Sequence, residues 1–237
     1  EAMRAWARAR CAALGELRLS GYVLKKDSPS CGLERVREYA ASGIPSRTGR
    51  GLFADELTRA FPLLPVEEEG RLADPVLREN FFDRVFGFQR LRAFFESDWR
   101  LGDLVEFHSR EKLLLLAHAT EGYRALGRIV AAAKGRAPAE LEREYSAEFM
   151  RTLAHRATPG RHANVLEHML GYFKDVLAPA EKQELVLLVA DYRTGLVPLI
   201  VPVTLLQHHV RRHHVEYLAR QHYLAPHPKE LLIRNHV

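Results

Sequence analysis

The stretch Gly21 to Gly32, GYVLKKDSPSCG, sets one cysteine, Cys31, in a proline and glycine turn a few residues after Lys25 and Lys26. A thiol near cations loses its proton more readily, and the thiolate is the form that binds a metal or attacks an electrophile. The same spacing fits an inert cysteine in a tight turn, so both readings stand. Further along, His108 and Lys112 stand four apart, as do Asn164 and His168, and residues so spaced share one face of a helix. Together with His118 they are candidates for a polar pocket in a helical core: His108, Lys112, His118, Asn164 and His168. The alternative is that they are core polar groups bonded to neighbouring helices. His209 and His213 repeat the spacing, with His208, His214 and His222 near, but there is no H-E-x-x-H pattern and the nearby carboxylate is Glu216 alone. The run HHVRRHH therefore reads as a solvated basic face, which with Arg211 and Arg212 suits contact with a nucleic-acid backbone.

These residues need elements to hold them. Before the cysteine, Leu19–Lys25 is rich in strand formers, and Pro29 and Gly32 end the strand in a turn, which puts Cys31 at the strand's C-terminal end. Ligands of α/β sheets gather at that edge. A polar segment with Gly43, Pro45, Gly49 and Gly51 follows, then a helical pattern from Leu52 to Phe61 and a strand-like LLPVEEE. Arg47 and Arg50 precede the helix, so either its first amides offer a place for a phosphate or the segment is only a turn. From Pro75 the texture turns wholly helical. The apolar period predicts helices over Pro75–Phe95, Asp103–Lys134, Pro138–Arg156, Pro159–Leu177, Pro179–Arg193 and Val197–Tyr223. Pro198 and Pro202 predict kinked or irregular first turns in the last of them.

The fold class that follows is mainly α: a truncated α/β, Rossmann-like N-terminal segment over 1–74, a connecting amphipathic helix over 75–95, and an all-helical bundle domain over 96–237. Apolar residues at 47% and charged residues at 27% are those of a folded globular chain. No stretch approaches the roughly 20 apolar residues of a membrane span, so no membrane partner is expected. The net charge of +5 is spread evenly: 16 Lys and Arg against 13 Asp and Glu up to residue 95, then 19 against 17. Residues 205–237 stand apart, with five Lys and Arg, two acids and seven of the twelve histidines. Two cysteines, Cys11 and Cys31, are too few for a disulfide framework and point to a reducing, cytoplasmic setting or to a ligand role. The opening EAMRAWARARCAAL is already helical, which suggests a truncated start.

The GYVLKKDSPSCG stretch resembles the LK-x-x-SPSCG signature of the bacterial thiouracil-desulfurase (TudS-like) desulfidases, and GRGLFADELTRAFPLLPVEEEGRL resembles the continuation of that domain. The resemblance implies a 4Fe-4S cluster held by three cysteines, with one iron open to take sulfur from a thiolated nucleobase or related small molecule. Cys31 would be one cluster ligand and Ser28 a polar residue beside the substrate. The other cluster cysteines of that family lie upstream of the stretch seen here, so the cluster belongs to a longer parent and this chain alone is expected neither to assemble it nor to be active. From about Asn80 onward the chain resembles the YbgA family, through DLVEFHSREKLLLLAHATEGYRALG, NVLEHMLGYFK, DYRTGLVPLIVPVTLLQHH and YLARQHYLAPHPKEL. That likeness implies a helical fold rather than a reaction. Two functions are therefore expected: desulfuration by the parent, or a helical module that binds nucleic acid or a protein partner without catalysis of its own.

Overall fold

The computed structural model of the chain describes residues 1–39 and 45–237, leaving aside the side chains of residues 38, 39, 45 and 47. It forms two compact units, Glu1–Phe81 and Phe82–Val237, and the division falls within the helix that begins at Pro75 rather than at its start.

In the first unit, helix α1 (Ala2–Gly15) buries Ala7, Cys11 and Leu14, spaced four and three apart along one face. That stripe packs on helix α2 (Leu52–Ala60), whose Phe53, Ala54 and Leu57 are buried. Trp6 and Tyr22 flank the Phe53 ring at centroid distances of 5.8 and 5.9 Å. Strand β1 (Tyr22–Leu24) pairs in parallel with β4 (Val66–Glu68), Tyr22 opposite Val66 and Leu24 opposite Glu68, and α2 lies between them in the chain. This is a strand–helix–strand unit of the expected α/β kind, reduced to two strands. The polar segment, read as a loop, instead supplies β2 (Val36–Tyr39) and β3 (Pro45–Gly49), an antiparallel pair with Val36 opposite Gly49. Its serines, glycines and arginine carry no apolar alternation, so nothing in the pattern marked it as a strand pair.

The second unit is helical. Helix α3 (Pro75–Phe95) opens with Asp74 Oδ1 accepting from Val76 N at 2.9 Å and Leu77 N at 3.1 Å, and Pro75 fills a first-turn position that needs no donor. Helices α6 (Pro138–Ala154), α7 (Pro159–Leu170) and α8 (Pro179–Arg193) also begin at proline. The expected single helix over Asp103–Lys134 is two, α4 (Leu101–His118) and α5 (Thr120–Ala131), because Ala119 is extended at φ −157° and ψ 116°. No glycine or proline marks that break. It lets α5 fold back so that Leu126 and Ile129 are buried as well as the Leu113–Leu115 run of α4. The last predicted helix is likewise divided, into α9 (Ile200–Arg212) and a short α10 (Glu216–Ala219), with His214 at φ +51° between them. The stretch 197–199 is not helical and α9 begins only at Ile200, which is the irregular start that the prolines predict; Pro202 then sits in the first turn, where the helix has no donor to lose.

The segment after α10 is bound into the bundle. Gln221 clasps the backbone of α4: Nε2 donates to Ser109 O at 2.9 Å and Oε1 accepts from Leu113 N at 3.3 Å. Those two groups stand one helical turn apart. Among the described residues no helix is long and apolar enough to cross a membrane.

Candidate functional site

Cys31 stands just past β1, in a turn that the start of α2 holds shut. Gly32 N donates to Ser28 O at 2.8 Å, and Ser28 Oγ accepts from Cys31 N at 3.2 Å and Ser30 N at 3.4 Å. Leu52 N donates to Pro29 O at 3.3 Å, Phe53 N and Ala54 N to Ser30 O at 2.8 and 3.2 Å, and Gly51 N to Gly32 O at 2.8 Å. These are the amides that a helix leaves unpaired at its start. The phosphate place expected there is therefore filled by the protein's own carbonyls. Arg50 also turns inward, its Nε donating to Leu33 O and its Nη1 to Thr58 Oγ1, both at 3.1 Å. Gly43 of that loop lies outside the described residues, as does the Arg47 side chain.

Close approach of α2 to the turn requires a glycine at position 51, because a Cβ there would lie 2.4 Å from the Ser30 carbonyl and 2.7 Å from Cys31 N. Gly51→Ala should therefore push the turn off the helix and cost about 1–3 kcal/mol, the usual penalty for overpacking. Thermal unfolding, together with the labelling rate of Cys31 by a thiol reagent in a Cys11→Ser background, checks this: lower stability and faster labelling are expected.

The Cys31 side chain is half-buried, with Ser30 Oγ 3.4 Å from its sulfur. The cations expected to favour its thiolate are engaged elsewhere. Lys25 Nζ donates to Glu69 Oε1 at 2.7 Å, and Lys26 Nζ lies 3.9 Å from Asp27. Beneath the turn, buried Glu68 accepts from Leu33 N at 2.8 Å and so fixes the chain that leaves Gly32. Cys11 lies on α1, where burial and then the Glu56 charge push its thiol up. Among the described residues no three His, Cys, Asp or Glu side chains converge as metal ligands. A 4Fe-4S cluster needs more thiolates than the single one that this edge presents, so the described residues do not by themselves fit a complete cluster.

In the helical unit, three of the five pocket candidates meet. His108 of α4 stacks on Tyr123 of α5 at 5.2 Å with 2° between the planes, and its Nδ1 shares a 3.1 Å hydrogen bond with the buried Tyr145 hydroxyl of α6. Burial, with the Lys112 ammonium beside it, pushes His108 down to about 4. His168 of α7 meets Tyr172 edge-on at 5.8 Å and is also lowered, by burial and by Lys112. Tyr172 stacks on Tyr217 of α10 at 4.9 Å. Asn164 is exposed one turn before His168. His118, the fifth candidate, is held in a different environment: it is wholly buried, its Nδ1 2.7 Å from His155 O and its Nε2 3.4 Å from Asp83 Oδ2.

Two buried carboxylates anchor the unit, and the helical period gave no sign of them. Glu111 of α4 receives Arg90 Nε at 2.6 Å and Nη2 at 3.0 Å, and His222 Nδ1 lies 2.9 Å from it. Burial raises both carboxyls, but their partners outweigh it and hold them below the usual range: Arg90 and His222 for Glu111, and His118, Arg234 and His227 for Asp83. The signal available in the sequence was a charge inside an apolar run, as in FFDRVF for Asp83. The basic face is interrupted. His209 is buried and stacks with His213 at 5.8 Å, Arg212 donates to Glu181 at 2.8 Å, and His208, Arg211 and His214 remain exposed.

Over 153 residues, 64% of this chain and 90% of the relative, the sequence is 32% identical to Uncharacterized protein YbgA of Escherichia coli (strain K12). The chain belongs to the YbgA family. The family model described as "Protein of unknown function (DUF1722)" matches residues 112–228, and so takes in most of the helical unit that carries the YbgA likeness. A second family model, described as "2-thiouracil desulfurase", matches residues 1–69, the segment that contains the Cys31 turn. The chain thus joins a desulfurase-type segment to a YbgA-type helical domain, as its motifs implied. No solved structure matches the chain.

Proposed function

We propose that residues 1–69 serve in the removal of sulfur from a thiolated nucleobase or a similar small molecule, with the YbgA-type domain as a fused accessory. The observation that carries this reading is the position of Cys31, half-exposed at the C-terminal end of β1 within the stretch that matches the 2-thiouracil desulfurase family. In a hydrolytic exchange of this kind water supplies the oxygen of the new carbonyl, and the thiocarbonyl sulfur leaves as sulfide. Iron-sulfur dependence belongs to the same proposal. Cys31 would give one ligand to a 4Fe-4S cluster whose remaining thiolates come from outside the described residues.

This chain's own contribution is positional. Ser28 Oγ and the α2 amides fix the backbone on either side of Cys31, so that its sulfur is presented in one direction and loses little freedom on binding. Ser28 uses its oxygen as an acceptor in doing so, and its hydroxyl proton stays available, to Ser30 or to a substrate heteroatom.

The test is made on the intact gene product, reconstituted with iron and sulfide in the absence of oxygen. A visible charge-transfer band and sulfide release from 2-thiouracil are expected, and Cys31→Ala should abolish both while Cys11→Ser leaves them. A band and an activity undiminished by Cys31→Ala would overturn the reading.

A further inference from the structure

We propose that the face formed by His108, Lys112, Tyr123, His168, Tyr172 and Tyr217 is a binding site for a small planar anion, an aromatic or heteroaromatic ring that bears a carboxylate or a phosphate. The proposal is independent of Cys31 and of sulfur chemistry. Its first support is convergence. Side chains from α4, α5, α7, α10 and the short 3-10 turn Gly171–Phe173 meet here as two stacked ring pairs, His108 on Tyr123 and Tyr172 on Tyr217. Rings gathered only to fill a core would be buried, yet Tyr172 is 39% exposed while it stacks on Tyr217, and His168 is exposed beside it. An exposed ring braced from one side is a platform on which a second planar group can stack.

Charge gives the second support. Lys112 is half-buried and has no carboxylate partner among the described residues, whereas Arg124, Arg136, Arg151 and Arg212 of the same unit are each paired with a glutamate. The two imidazoles that feel its charge are both held toward their neutral form. Lys112 is thus the cation of the cluster without a carboxylate of its own, since Glu111 behind His108 is engaged by Arg90, and an anionic group would complement it. His108 Nδ1 and the Tyr145 hydroxyl share one hydrogen bond of 3.1 Å, which fixes the plane of the imidazole against Tyr123. The other ring nitrogen, Nε2, is turned toward α5, 3.9 Å from where a Cβ on Gly127 would stand.

Calorimetric titration of the whole chain tests the site with uridine 5′-monophosphate and 4-hydroxybenzoate as the two charged rings. Uridine is the ring without the charge, and inorganic phosphate the charge without the ring. At least one charged ring should bind with a dissociation constant of about a millimolar or tighter, and both controls about tenfold more weakly. Whichever ring anion binds better identifies the anionic group. Lys112→Met, which keeps the packing of the stem, and Tyr172→Ala, at an exposed ring, should each weaken binding about tenfold with the circular dichroism spectrum unchanged. The proposal is overturned if neither ring anion binds, if inorganic phosphate binds as tightly as they do, or if both variants bind like the parent. No thiol or iron enters the experiment, so its failure would leave the desulfuration reading untouched.

Discussion

Glu111→Ala should destabilise the helical unit by about 3–5 kcal/mol, the usual cost of leaving one member of a buried ion pair without its partner. Glu111 has no exposed surface, and both of its oxygens are engaged by Arg90, whose side chain is 20% exposed. Without the carboxylate, that cation keeps a single backbone acceptor, Pro226 O at 2.8 Å. A domain margin of about 5–15 kcal/mol makes such a loss visible at once in urea unfolding followed by circular dichroism. The pair itself contributes less than its removal costs, because both charges had to be desolvated. Arg90→Met combined with Glu111→Met should therefore recover much of the loss. If Glu111→Ala shifts the unfolding free energy by less than about 1 kcal/mol, the site is hydrated and the account of its burial is wrong.

Acid should unfold the helical unit early, and four buried groups act in the same direction. His162, wholly buried with Nδ1 3.0 Å from the Tyr223 hydroxyl, is pushed down to about 3 by burial and by Arg234, and His108 to about 4. Both titrate near 6.5 once the chain is unfolded. As the pH falls below that value the unfolded chain takes up protons that the fold refuses, and stability declines until the folded values are passed. The differences correspond to something on the order of 5 kcal/mol for His162 and 3 kcal/mol for His108. Glu111 and Asp83 are held low, so what they contribute is present above the ordinary carboxylate range and lost as the pH drops through their folded values. The midpoint of urea unfolding should fall steeply from pH 7 to about pH 4, within the span set by these groups. His162→Gln, which can still bond the Tyr223 hydroxyl, should flatten that slope. A midpoint indifferent to pH would show that these imidazoles are hydrated in the fold.

What could be read along the chain was local. Helix α8 runs Pro179–Arg193 as its spacing and first-turn proline indicated, and β1 and β4 lie where strand formers cluster. The break at Ala119 could not be read, since alanine is a good helix former and the fold-back is decided by which leucines it buries. The site divides in the same way. His108 and Lys112 announce themselves by a four-residue spacing within one helix. Tyr123, Tyr172 and Tyr217 come from three other elements, and only packing brings them to that face. Chemistry that a single helix assembles is visible in one dimension, whereas chemistry assembled by five elements is not.

The clasp of Gln221 on α4 carries a consequence for synthesis. Its partners, Ser109 and Leu113, leave the ribosome 112 and 108 residues earlier, and Arg90 precedes its acceptor Pro226 by 136. Until Gln221 and Pro226 are made, Ser109 O and Leu113 N lack their side-chain partner and Arg90 lacks its backbone acceptor. The unit cannot reach its final packing until the stretch through Arg234 has cleared the exit tunnel, so its maturation lags well behind the synthesis of α4. Until then the nascent helices remain exposed to chaperones and proteases, and a ribosome stalled upstream of Gln221 would hold a half-built bundle that has no native form to adopt.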